Sequence, residues 1–150
     1  MAASAGEQLA DELGPLLAGE RATMAHRCHE RQISMAHLFL MTKIEHHGAM
    51  PMTRIAELLG SSLPTATGLV SRMEDRGFVR RLHDEQDRRV VNVSLTAAGK
   101  RELSGLHAAR RHRLAAAAAG FTDAERAQIL ASIRMLRAAL ERVDEQGATR

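Results

Sequence analysis

Between residues 52 and 95 the hydrophobic period of this chain changes once, and that change narrows the folds open to it. Up to Arg76 the apolar residues step at three and four. They do so first over residues 53–59 (Ile55, Ala56, Leu58, Leu59) and, after Gly60-Ser61-Ser62, again with Ala66, Leu69, Val70 and Met73. Past Gly77 the step is two: Phe78 and Val79 open an extended run to Leu82, and Val91, Val93 and Leu95 alternate with polar neighbours. The first pattern predicts two short amphipathic helices, with Gly60 as a left-handed cap and Ser62 as the N-cap of the second. Pro64 is tolerated in that helix's first turn, and Gly77 stops it. The second pattern predicts a β-hairpin with a charged turn at residues 83–87.

The flanks read as helix. Residues 1–8 look like a loose small-residue tail. Leu9, Leu13, Leu16 and Leu17 share a side of a helical stretch that Gly14-Pro15 is expected to kink or restart. Ser34 caps a further helix carrying Leu38, Met41, Thr42 and Glu45, which His46-His47-Gly48 ends. Thr96 restarts helix over residues 97–119, closed by Gly120. Thr122 and Glu125 form a capping box for a last helix, where Ile129, Ile133, Leu136, Leu140 and Val143 make a seam for another helix, in this chain or a second copy. The expected fold is mainly α, with a two-stranded wing following a helix pair.

At 150 residues the chain is one domain's worth, and with no Trp or Tyr and only Phe39, Phe78 and Phe121 its core must be aliphatic. That argues against RNA sites that stack bases on aromatic rings. The lone Cys28 has no internal disulfide partner. Residues 1–8 lack the features of a signal peptide, and no apolar run approaches spanning length, so a reducing cytoplasm and no membrane are expected. The net charge of +3 is unevenly spread. Residues 54–113 hold twelve Lys/Arg against seven Asp/Glu, with four against six before them and five against five after. A central basic excess is the footprint that phosphates require.

Two helices joined by a tight Gly turn fit a helix-turn-helix, whose second helix enters the major groove of duplex DNA. Opposite its apolar face that helix carries Pro64, Gly68 and Ser71, flanked by Thr65, Thr67 and Arg72. The hydroxyls suit base edges, and Arg72 suits a guanine or a phosphate. Ser62 stands at the start of the same face; Gly68, which costs about 1 kcal/mol of helix propensity, reads either as room for close backbone approach or as drift at an exposed site. Asp87-Arg88-Arg89 forms the tip of the hairpin, where Arg89, braced by a salt bridge to Asp87, is expected to enter the minor groove. Arg54 and Arg81 are expected phosphate contacts.

In these residues the chain resembles the multiple-antibiotic-resistance regulator (MarR) family of winged-helix transcription factors. The likeness runs from about Leu9 to Val143. It is most specific in MTRIAELLGSSLPTATGLVSRMEDRGFV and in DRRVVNVSLTAAGK, where Asp87, Arg89, Leu95 and Thr96 match the family's D-x-R-x5-L-T signature. Gly68 departs from the pattern, since relatives often carry a longer polar or basic side chain there. The resemblance implies one domain over 1–150, with residues 33–96 as the DNA reader and 9–32 and 97–145 as dimerisation helices. It further implies a homodimer on a pseudo-palindromic operator, and repression relieved by a small effector in the cleft between dimerisation helices and reader.

Other chemistries have thinner support. Cys28, His29, His107 and His112 are candidate metal ligands, in regions that frame the effector cleft of the family. However, His107 and His112 lie five apart, off a shared helix face, and the set lacks the ligand pattern of the family's zinc sensors. The family's organic-peroxide sensors polarise their cysteine with tyrosines, and this chain has none. A metal- or redox-responsive regulator of the same fold, or a winged helix used only to dock proteins, are the alternatives; clustered Arg argues against the second. No phosphate loop, HExxH or nucleophile elbow points to an enzyme, and no cofactor is expected.

Overall fold

A computed structural model describes residues 4–84 and 87–147. Its elements run α1 (Ala5–Glu30), α2 (Met35–His47), β1 (Met50–Pro51), α3 (Met52–Leu58), α4 (Leu63–Asp75), β2 (Val79–His83), β3 (Val91–Leu95), α5 (Ala97–Ala118) and α6 (Asp123–Gly147). The chain divides into two compact units, residues 1–109 and 110–150, with the division inside α5.

The first unit is built round the sheet and the helix pair. β3 lies between β1 and β2, antiparallel to both, with Val79 opposite Leu95 and Met50 opposite Val93. The sequence predicts the hairpin but not β1, a two-residue strand too short to show a period. One apolar core joins Cys28 and Ile33 to Leu38, Leu40, Met41 and Ile44 of α2, and to Ile55, Ala56 and the four inward residues of α4. Met50, Val79, Val93 and Leu95 of the sheet, Phe78 just before β2, and Leu103 and Leu106 of α5 complete it. Close packing is visible at Gly99, where an added Cβ would be driven into the Phe78 carbonyl.

Two expectations for α1 are corrected. The helix begins at Ala5 rather than after residue 8, because Ser4 and Glu7 form a capping box: each side chain accepts the other's backbone N–H. Residues 1–3 of the supposed tail lie outside the described residues. Nor does Gly14-Pro15 interrupt it; α1 runs through Pro15. Both Pro15 and Asp11, whose carbonyl loses its helical partner, are exposed, so water can satisfy that oxygen. No helix among the described residues is long and apolar enough to cross a membrane.

In the second unit the Thr122–Glu125 capping box forms as expected, with Thr122 N–H donating to Glu125 Oε2 at 2.7 Å. The α6 seam is exposed: Ile129, Ile133, Leu140 and Val143 are 39–63 % accessible.

Candidate nucleic-acid interface

The orientation of α4 follows from burial. Leu69, Val70 and Met73 are inside, each stabilising by about 1.5–3 kcal/mol relative to exposure, against about 1 kcal/mol of helix propensity lost at Gly68. With that face and Ala66 fixed inward, Pro64, Thr65, Thr67 and Arg72 are exposed, and Gly68 and Ser71 are half-buried. The turn before α4 is made as the sequence predicts, with Gly60 at φ 57°. Ser62 caps the helix: its Oγ accepts the Thr65 N–H at 3.3 Å and lies 2.9 Å from Thr65 Oγ1. The Thr65 hydroxyl is thus oriented by the cap. At Gly68 a methyl group would find ordinary contact with Arg72 Nη1 at 3.7 Å, so packing does not demand glycine there.

The hairpin lies against this helix. A cleft of about 460 Å³ is lined by Pro51, Met52 and Thr53, by Leu63 and Thr67 of α4, and by Arg89, Val90 and Val91 of the hairpin. Thr67 of α4 and Arg89 of the hairpin therefore share one surface. Sequence reasoning missed Thr53 and Leu63. Leu63 is 47 % exposed although large and apolar, and its one signal was a place between cap and proline, off the inward stripe.

Asp87 does brace Arg89, but through the backbone: the Arg89 N–H donates to Asp87 Oδ1 at 2.9 Å, in place of the expected salt bridge. Asp84 adds a second acceptor, taking the Asp87 N–H at 3.2 Å and an Asn92 amide N–H at 3.2 Å. His83 Nδ1 lies 3.0 Å from the Arg88 carbonyl oxygen. Arg88 and Arg89 are both exposed; Glu85 and Gln86 of the predicted turn lie outside the described residues.

Arg54 is exposed and pairs with Glu57 at 2.9 Å, a surface contact worth at most about 1 kcal/mol and readily exchanged for a phosphate. Arg81 is held differently. Its Nη1 donates to Glu74 Oε2 at 2.5 Å, and its Nη2 to Ser71 Oγ at 3.0 Å and the Thr67 carbonyl at 3.3 Å. Its backbone N–H donates to Glu74 Oε1 at 3.1 Å.

Behind the surface, α2 has a capping box that the sequence reading did not anticipate. His37 N–H donates to Ser34 Oγ at 3.1 Å, and Ser34 N–H donates to His37 Nδ1 at 3.2 Å. Nδ1 is therefore the acceptor and Nε2 carries the proton, in a spot where Nε2 is buried without a partner among the described residues. Burial, then Arg72 and Arg76, hold the His37 pKa below its ordinary value.

The metal candidates differ in their surroundings. Cys28 is buried, and burial pushes its thiol pKa up, partly offset by Arg31. His29 and His112 are exposed and His107 half-buried. No three His, Cys, Asp or Glu side chains come together in a metal-holding group among the described residues.

A helix pair with an outward polar face, followed by an arginine-tipped ribbon at its side, defines a winged helix-turn-helix protein. The sequence profile of the MarR family matches residues 33–91. The HTH-type transcriptional regulator YfiV of Bacillus subtilis is 32 % identical over 114 residues, covering 76 % of this chain and 71 % of that one. The HTH-type transcriptional repressor MdtR of the same organism is 26 % identical over 127 residues, 85 % and 82 % of the two chains. Among solved structures, Streptococcus pneumoniae FabT in complex with DNA has the same fold, with a TM-score of 0.72 at 19 % identity over 91 % of this chain and 98 % of that one. The chain belongs to the MarR family of helix-turn-helix transcriptional regulators.

Proposed function

We propose that the chain binds a pseudo-palindromic operator as a homodimer and represses transcription until a small effector releases it. The observation that carries this is the shared cleft: the outward face of α4, at Thr67, and the wing tip, at Arg89, stand on one surface. Thr65, Thr67, Ser71 and Arg72 meet the bases in the major groove, with Ser62, Pro64 and Gly68 at close backbone approach. Arg89 enters the minor groove, Asp87 holds it there, and Arg88 and Arg54 neutralise phosphates. MdtR is named as a repressor and FabT was solved with DNA, which supports the same use of this fold here. Residues 33–96 form the reader, and 9–32 and 97–145 the dimerisation helices. The effector sits in the cleft between the two, and the protein works in the cytoplasm.

Selection of duplexes from a random pool tests the proposal. Inverted half-sites about one helical turn apart are the expected outcome. With the chosen operator, Arg89→Ala weakens binding to operator and random duplex alike and lowers the slope of log affinity against log salt by about 0.9. Thr65→Ala changes the preference among sites and leaves that slope alone. If no duplex is selected and the protein is monomeric, the winged helix is a protein-docking module instead.

A further inference from the structure

We infer that Arg81 is a positioning residue, which locks the first wing strand to the recognition helix and leaves the phosphates to other arginines. The inference rests on the DNA-binding reading above. Arginine in a basic wing is ordinarily taken for a phosphate contact, and the charge tally counts Arg81 as one of the excess cations. Its surroundings oppose that use. A guanidinium offers five N–H donors in a fixed fork. Here one edge is spent on the Glu74 carboxylate, and Nη2 is divided between the Ser71 hydroxyl and the Thr67 carbonyl. Glu74 answers with its second oxygen, taking the Arg81 backbone N–H. One carboxylate thus holds both the side chain and the strand of Arg81, and the pair is only 28 % and 36 % exposed. The Arg54 pair, by contrast, stands at 59 % and 65 %.

Two consequences follow for DNA. The charge of Arg81 is already compensated by Glu74, so it releases few counterions on binding. And its anchors, Thr67, Ser71 and Glu74, are successive turns of α4, two of them in the stretch that faces the bases. The guanidinium on Ser71 Oγ occupies one lone pair of that hydroxyl and polarises its O–H, so Ser71 meets the groove chiefly as a donor. It then favours base positions that present acceptors, such as guanine N7 and O6, over amino groups.

Two variants separate this from phosphate contact. Arg81→Lys keeps the charge and loses the fork. A positioning role predicts an unchanged salt slope with the ratio of operator to random-duplex affinity falling about tenfold, the scale of one lost directional contact. The double variant Arg81→Gln, Glu74→Gln removes the pair without changing net charge, and its slope should match the parent while discrimination is lost. Circular dichroism and melting of both variants check the fold. The inference is overturned if Arg81→Lys discriminates like the parent, or if the double variant loses about 0.9 of slope with its affinity ratio intact. An unmutated protein that selects no duplex at all removes the underlying reading as well, and that result is recognisable before any variant is made.

Discussion

His37 shows how one residue can tie the stability of the reader to pH. Its ring serves as the side-chain half of the α2 capping box while its Nε2–H is buried without a partner among the described residues. Burial and two arginines disfavour the charged ring, so the folded pKa lies below 6.5. Well above pH 6.5 the ring is neutral in both folded and unfolded chains, and the group adds no pH dependence. As pH falls through 6.5 the unfolded chain takes up the proton first, and stability drops until the folded pKa is reached. Glu7 and Glu125, whose carboxyl pKa values are lowered chiefly by backbone hydrogen bonds in their capping boxes, act in a separate window below 4.5. His37→Gln retains an acceptor for the Ser34 N–H and cannot titrate. Denaturant melts at pH 7.5 and 5.5 should therefore show a smaller loss for the variant than for the parent. Equal losses would mean that His37 protonates as easily folded as unfolded.

At the scale of elements, the joint between α1 and α2 depends on the end of α4. α1 closes with Gln32 at φ 55°, a left-handed conformation that usually falls to glycine or asparagine. Arg76 stabilises it from outside: its guanidinium donates to the Gln32 carbonyl and, at 2.8 Å, to the Arg31 carbonyl, and lies 4.6 Å from the Phe78 ring centroid. Arg31 itself crosses to Glu102 of α5 at 2.7 Å, passing over Gly105, where a Cβ would stand 3.3 Å from its Nη1. Arg76→Ala should cost about 1–2 kcal/mol, from two hydrogen bonds and a stacked cation. Arg76→Lys should recover less than half of that, lacking the fork to reach two carbonyls; full recovery in urea melts would assign the effect to charge alone. None of this joint is legible in the sequence, because Gln32, Arg76 and Glu102 lie far apart in the chain and none breaks a local pattern. Local chemistry complete in a few residues is legible at Gly60, the Ser62 cap, the Thr122–Glu125 box and the inward stripe of α4, but not at Ser34–His37, where the second partner is a histidine in place of the usual Glu or Gln. Ser4–Glu7 has the same pattern as Thr122–Glu125, but the small residues on either side of it give no apolar stripe to mark a helix start. Arg54 and Arg81 look alike as letters, and only the fold distinguishes an exposed pair from a held one.

At the scale of the whole molecule, the two units bury apolar surface unequally. Among the described residues the last member of the buried core is Leu106, whereas Ile129, Ile133, Leu140 and Val143 of α6 are exposed. Leu9, Leu16 and Leu17 on α1 are exposed as well, at 51–61 %. Each such side chain gains about 1.5–3 kcal/mol once fully covered, so the α6 stripe is the apolar face on which the proposed dimer is tested. Ile133→Glu with Leu140→Glu places two charges in the α6 seam and should convert a dimer in sedimentation into a monomer. Because the reader's core uses neither residue, the far-ultraviolet spectrum and the pH response traced to His37 should persist. The monomer should then bind a single half-site nearly as the parent does, and lose the extra affinity for the inverted repeat, since that excess comes from linking two readers rather than from new contacts. A variant that stays dimeric would move the interface off α6, whereas a monomer with undiminished affinity for the full repeat would show that each reader works alone.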